Sequence, residues 1–288
     1  MDTGFGLYST AKALLHAMRK HPYLGLLHLP LARAKQRRVQ QETRRSDRHT
    51  YTCFFRSRPQ LDAIVGPVCD ALEARGVKHA TLNVFAASTG AEAYTLAAEL
   101  LNRRPSLDFT MRASDLHAST VAKARSGTYA RGELFRDAAV PADLVERTFD
   151  RRGDDYRVKE HIRAKVRFEQ ADLLSGALAQ RYAGADIVLA QNVLFHLQPP
   201  LAEVAFHNAL KTVNPGGFLL VEGMDLDMRV ELTAQARLEP LDYRVREIYA
   251  DARRHVPENW WDYYYGSEPY SPFATERGRR YCTIFRVP

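Results

Sequence analysis

Long apolar runs, closely spaced cysteines, internal repeats and a three-glycine phosphate-binding fingerprint are all missing from this chain. No stretch approaches the ~18 consecutive apolar residues of a membrane-crossing helix. The leucines near the N-terminus (Leu7, Leu14, Leu15 and Leu24 to Leu29) are interrupted by polar and charged residues, with no clear small-residue cleavage site after them. The expectation is therefore a cytosolic protein without a membrane span. Three cysteines occur, Cys53, Cys69 and Cys282. An odd number without ligand spacing argues against a disulfide framework and a metal cluster, so they read as reduced, mostly buried thiols and no metal is expected.

What is present is an ordinary globular composition. The 288 residues, 45% hydrophobic and 26% charged, can build one large or two small domains around a real core. The net charge of +7 is concentrated rather than spread. Between Leu31 and Arg58, nine Lys or Arg face only Glu42 and Asp47, so this segment carries the whole excess. Such a stretch fits an acidic partner, whether a protein face, nucleic acid or a membrane surface; a solvated basic helix without a partner reads equally well.

The chain divides near residue 76. Residues 1–76 read as a helical, basic N-terminal region, with apolar residues from Leu61 to Leu72 marking a helix that stops at Gly76. Residues 77–288 alternate strand-like and helix-like segments, which favours an α/β domain with a parallel sheet covered on both faces. Strands are expected at Thr81–Ala87, Leu107–Ala113, Ala185–Ala190, Phe218–Glu222 and Tyr281–Val287. Helices are expected at Ser119–Arg125, Asp137–Thr148 and Leu201–Val213. Around 150–168, Asp154–Val158 and Ile162–Phe168 alternate apolar and polar residues and could pair as a small antiparallel insertion leading into a core strand. The extension 240–288 collects aromatics in Trp260-Trp261-Asp262-Tyr263-Tyr264-Tyr265, which either close over a small ligand or pack the end of the sheet.

The first strand and the helix after it frame Ala86-Ala87-Ser88-Thr89-Gly90, a turn with no side chain larger than Ser or Thr. Backbone amides and a helix N-terminus can approach a ligand there, although small turns also serve packing alone. Ligands of open α/β sheets bind beyond the carboxyl ends of the strands. That rule singles out Asp115, placed to accept ribose hydroxyls or else only to cap the helix that follows; Asp172 and Leu173, placed to flank an adenine, with a helix cap as the other reading of Asp172; and Asn192 and His196, near the expected reaction centre, with a structural or surface role as the other reading of the histidine.

Six ordered blocks resemble the CheR-type chemotaxis receptor methyltransferases: Phe54-Phe55-Arg56, Ala86 to Ala97, Ser114-Asp115-Leu116, Ala124 to Tyr129, Asp172-Leu173-Leu174 and Asp186 to Leu194. The resemblance covers roughly Thr52 to Gly223. It implies a class I (Rossmann-like) S-adenosylmethionine (SAM) methyltransferase with a helical N-terminal region and a small β insertion, esterifying glutamates on a receptor helix. By the same resemblance Ala87, Ser88, Thr89, Gly90 and Glu92 surround the methionyl part of SAM, and Asp115 the ribose. Asp172 and Leu173 flank the adenine, Asn192 lies near the methyl, Arg56 lies beside the acceptor, and the basic segment faces an acidic protein. Here the family's Gly-Glu-Glu-Pro-Tyr-Ser reads Gly90-Ala91-Glu92-Ala93-Tyr94-Thr95. The Arg that usually precedes the Asn is Gln191, the Asn of Asn-Leu-Leu is Asp172, and the Tyr of Ile-Tyr-Phe is His196. A glutamate acceptor is already an anion, whereas a hydroxyl or amine must lose a proton that His196 could take. Two alternatives to protein carboxyl methylation therefore stand: a small-molecule acceptor with His196 as base, or a non-catalytic SAM- or partner-binding protein.

Overall fold

The computed structural model describes residues 52–135, 140–254 and 268–288, with isolated positions between 14 and 34. The basic residues Arg33 to Arg48 and the segment Trp260 to Tyr265 lie outside the described residues, as does nearly all of the expected helical stretch before Thr52.

The chain enters through helix α1 (Arg58–Ala63), a π-helical turn (Ile64–Val68) and α2 (Cys69–Ala74). The single helix expected over Leu61–Arg75 is thus interrupted. Pro67 has no amide hydrogen to donate, and Gly66 leaves the helical region (φ −92°, ψ −111°). The guanidinium of Arg104 takes up the exposed carbonyls of Val65 and Gly66. Strand β1 (His79–Phe85), helix α3 (Ala91–Arg103), β2 (Asp108–Asp115) and α4 (Ala118–Ser126) follow. Gly127 ends α4 in the left-handed conformation that the sequence pattern called for.

Next come β3 (Thr128–Ala130), α5 (Ala142–Thr148), β4 (Phe149–Arg152) and β5 (Asp155–Val158), then β6 (Val166–Gln170) and β7 (Ala185–Ala190). The remaining elements are α6 (Pro199–Leu210), β8 (Val213–Leu220), α7 (Leu226–Gln235), β9 (Glu239–Pro240), α8 (Val245–Arg254), α9 (Arg277–Tyr281) and β10 (Ile284–Arg286).

Seven strands form one sheet in the order β6-β2-β1-β7-β8-β10-β9, parallel except for β10, which runs antiparallel to β8 and β9. The central strands are mainly apolar because both faces are covered, and their buried polar residues Asn83 and Asp186 are held by hydrogen bonds. Leu82, Val84, Ile187, Leu189 and Ile284 face one core, together with Ile64, Val68 and Leu72 of the entry helices. Their neighbours Phe85, Val188, Ala190 and Phe285 face the other core, under Ala205 and Phe206 of α6.

The small antiparallel sheet exists, with different partners from those expected. Its order is β3-β5-β4, so Asp155–Val158 pairs with Phe149–Arg152 and Thr128–Ala130. Ile162 lies in a short helical turn, and Val166–Gln170 joins the main sheet beside β2. Alternation alone could not separate a strand of the insertion from an edge strand of the core. Phe54 wedges edge-on against Tyr129 (4.8 Å) and Phe149 (5.0 Å), tying the entry loop to this insertion.

The last strand begins later than its alternating sequence suggests. Tyr281 closes helix α9, where Arg280 grips buried Glu268 with two hydrogen bonds of 2.8 Å. Buried Arg229 donates to the carbonyls of Arg280 and Cys282. The three cysteines are free and buried; burial pushes the Cys69 thiol up to about 12 and that of Cys282 to about 11. Among the described residues no helix is long and apolar enough to cross a membrane, and no His, Cys, Asp or Glu group could hold a metal ion.

Candidate functional site

Strand order reverses between β1 and β7, so the loops leaving their carboxyl ends diverge and open a crevice. A cavity of about 180 Å³ fills it. Its wall is built from strand ends: Ala86 to Ser88 after β1, Ser114 to His117 at the end of β2, Ala171 to Leu174 after β6, and Gln191 to Val193 after β7. Glu92, Thr95 and Leu96 of α3 add one side, and Thr52, Cys53, Arg56, Ser57, Gln60 and Leu61 of the entry loop and α1 add the other.

Of the residues expected at the site, Ala87, Ser88, Glu92, Asp115, Asp172, Leu173, Asn192, His196 and Arg56 all line this cavity. Thr89 and Gly90 are not in its wall. The Thr89 carbonyl accepts the Tyr129 hydroxyl at 2.6 Å. Gly90 has φ +91°, and a Cβ there would lie 2.9 Å from the Phe168 ring and 3.1 Å from Ala124. Packing beneath the turn, rather than approach of a ligand, requires that glycine.

Asp115 is 7% exposed and already accepts three hydrogen bonds, from the Ser88 amide (2.8 Å), the His117 amide (3.0 Å) and the Thr120 hydroxyl (2.9 Å). It therefore braces the β1 turn against the end of β2. A carboxylate offers about four lone-pair sites, so one side remains for a ligand hydroxyl. Asp172 accepts the Leu174 amide at 2.9 Å and so closes a turn rather than capping a helix, the next of which starts only at Leu178, while it still lines the cavity.

At the opposite end the Arg56 guanidinium donates to Asn192 Oδ1 at 3.2 Å. Asn192 is left-handed (φ +53°), and its amide donates to the Glu222 carbonyl. Gly223 permits this approach, because a Cβ there would sit 2.8 Å from Asn192 Cα. Burial pushes the Glu92 carboxyl up to about 7; Arg56 pulls it down and Glu222 adds to the rise. His196 ends the 3₁₀ turn Leu194–His196, its ring 4.0 Å from that of Phe195.

Sequence reasoning missed Gln60, Leu116, His117 and the charge of Glu222. Glu222 lies two residues past the end of β8, and the strand-end rule could have found it. Nothing in the sequence marks the left-handed residues Phe55, Ser57, Ala86 and Ser88, which bend the loops around the cavity; Asn192, also left-handed, is of a type that tolerates that region. Each costs roughly 1–3 kcal/mol, a strain that persists only where the surroundings enforce it.

The residue chemistry suits SAM. A carboxylate poised near neutrality faces a cationic amino group well, Asp115 offers an acceptor to a hydroxyl, and Leu116, Leu173 and Leu174 give an apolar slot for a base.

Comparison with known proteins agrees with this arrangement. The family model "CheR methyltransferase, SAM binding domain" matches residues 50–237. Chemotaxis protein methyltransferase 2 of Vibrio cholerae is 27% identical over 179 residues, 59% of this chain and 60% of that protein. An uncharacterized 104.1 kDa protein of Rhodobacter capsulatus is 30% identical over 188 residues, 62% of this chain but 19% of that protein. This chain thus spans less than two thirds of the length of either relative. Among solved structures, magnesium protoporphyrin IX methyltransferase from Synechocystis with bound SAM covers 64% of this chain and 71% of its own, at 13% identity and TM-score 0.38, too slight a likeness to argue from.

Proposed function

Because the chain belongs to the CheR methyltransferase family and carries its SAM-binding domain over residues 50–237, we propose that it transfers a methyl group from SAM to a glutamate carboxylate of a protein. The observation that carries this reading is Arg56, a cation bonded to Asn192 in the same cavity as Glu92, Asp115 and Leu173.

SAM supplies a methyl group activated by the positive sulfur to which it is attached. The chain's own residues bind, align and exclude water, as an in-line displacement requires. Ionised Glu92 would pair with the amino group of the cofactor, Asp115 would accept a ribose hydroxyl, and Leu116, Leu173 and Leu174 would enclose the adenine. Arg56 would orient the acceptor carboxylate, with Asn192 fixing its guanidinium. Thr52, Cys53 and Leu61 would shield the reacting centre from water. No base is needed, because the acceptor is already ionised.

A second reading rests on His196, which lines the cavity four residues after Asn192. In this reading the acceptor is a small-molecule hydroxyl or amine and the imidazole takes its proton, typically a ~10²–10⁴-fold effect. The third reading is a SAM-binding protein without turnover. Cytoplasmic location and an acidic protein or nucleic acid as partner of the basic segment belong to the same set of proposals.

Radiolabelled SAM distinguishes these readings. Base-labile label on protein, with His196→Phe nearly as active as wild type, is the expected outcome. Base-stable label on a small product, lost in His196→Phe, would replace the first reading with the second. Tight SAM binding without turnover on any acceptor would leave only the third.

A further inference from the structure

Arg56 is presented by an unusual stretch of backbone. Its neighbours on both sides, Phe55 (φ +55°) and Ser57 (φ +53°), occupy the left-handed region, which side chains of their kind disfavour. Such a loop stays in place only where its surroundings hold it.

On the C-terminal side the hold comes from helix α1. The Ser57 carbonyl accepts the amides of Gln60 (2.9 Å) and Leu61 (3.0 Å), and the Gln60 carboxamide donates to the Thr283 hydroxyl at 2.8 Å. On the N-terminal side the Phe55 amide donates to Thr95 Oγ1 at 3.1 Å, across a buried gap of 40 residues in sequence. Thr95 is 2% exposed and lines the cavity one helical turn beyond Glu92 on α3. One helix therefore presents the carboxylate at the cofactor end and also holds the loop that carries the cation at the acceptor end.

We infer that Thr95 is a positioning residue, whose hydroxyl fixes the Phe55-Arg56-Ser57 backbone and so sets the place of the Arg56 guanidinium against the acceptor. The inference rests on the carboxylate-acceptor reading of this cavity. Valine has the shape of threonine but cannot accept a hydrogen bond. In Thr95→Val the Phe55 amide would be left buried without its acceptor, and the left-handed turn would relax to recover one. Serine keeps the hydroxyl and loses only a methyl group.

The test uses the full chain as wild type, Thr95→Val and Thr95→Ser. S-adenosylhomocysteine binding is measured by calorimetry, methyl-ester formation on a helical glutamate-bearing peptide by base-labile label, and crystal structures are solved for all three with S-adenosylhomocysteine. Thr95→Val is expected to lower kcat/KM for the peptide by about 10–100-fold, with S-adenosylhomocysteine affinity within about twofold of wild type, and Thr95→Ser to restore it. The valine variant should show the Arg56–Asn192 bond broken and Phe55 out of the left-handed region.

An unchanged Arg56–Asn192 contact in the valine variant would overturn the inference. So would parallel loss of S-adenosylhomocysteine affinity and peptide turnover, or a failure of serine to rescue. Should wild type methylate no carboxylate at all, the acceptor reading falls, and the two variant structures still decide whether Thr95 places Arg56.

Discussion

Replacing Glu92 by glutamine should stabilise the protein above neutrality and leave it nearly unchanged in acid. The free carboxyl titrates near 4.5, and in the folded chain burial raises it to about 7. Below pH 4.5 the group is protonated in both states and contributes nothing to the pH dependence. Between pH 4.5 and about 7 the unfolded chain ionises while the folded one holds its proton, so stability falls through that window and is flat beyond it. At about 1.4 kcal/mol per tenfold in the protonation equilibrium the full cost is roughly 3 kcal/mol. Glu92 still touches the open cavity, where water screens part of this, so about 1–3 kcal/mol is expected. For a chain of this size that is roughly 2–10 °C in Tm. Urea or thermal melts of wild type and Glu92→Gln at pH 4, 6 and 8 measure it. The two stability curves should diverge as pH rises through 6 and then stay parallel. Curves parallel across the whole range would refute the buried-carboxyl argument. On the proposed reading, in which the cofactor's cationic amino group lies beside Glu92 and favours its ionised form, S-adenosylhomocysteine should bind more tightly as pH rises through 7, and Glu92→Gln should lose that dependence.

Other substitutions probe the frame of the site. Gly90→Ala places a methyl group against Phe168 in a left-handed conformation and should cost about 2–4 kcal/mol in chemical denaturation; wild-type stability would show that the turn is not packed as described. Asp115→Ala removes three hydrogen bonds and, on the proposed reading, the acceptor for a ribose hydroxyl, so calorimetry should find S-adenosylhomocysteine binding weakened more than ~100-fold and stability lower by about 2–4 kcal/mol. Arg280→Met strands the buried Glu268 carboxylate and should cost about 3–5 kcal/mol, most of it recovered in the double variant Arg280→Met/Glu268→Gln. Additive losses in that double-mutant cycle would mean the pair does not act as a unit.

Much of the fold was legible because its signals are local. Ala185–Ala190 is buried at every position and apolar except for Asp186, whose carboxylate accepts the Thr81 amide at 2.9 Å, as suits a strand covered on both faces, and it is the strand observed. Gly127 stops α4 because only a residue tolerant of the left-handed region ends a helix cheaply there. Asp115 was found because strand ends in a parallel sheet point to one crevice. The pairing of Asp155–Val158 was misread because a period of two declares a strand and is silent about its neighbour. The π-helical break at Gly66 was missed even though Pro67 announces it.

The sequence by itself therefore determined the α/β class of the domain, through periodicity and turn chemistry, and nine residues of the cavity wall, some through the strand-end rule and others, Arg56 and Glu92 among them, through the family resemblance. Only the tertiary structure decided the electrostatic state of the site. Glu92 is raised by burial first and then by Glu222 from elsewhere in the chain, and the Arg56 guanidinium bonds Asn192 while the Phe55 amide beside it bonds Thr95, distant partners that no local pattern encodes. Gly90 makes the same point in reverse: its residue type was visible in the sequence, but the ring it must avoid, Phe168, arrives from another strand. Desolvation and hydrogen bonding depend on what lies within a few ångströms, and across such sequence separations only folding sets those distances.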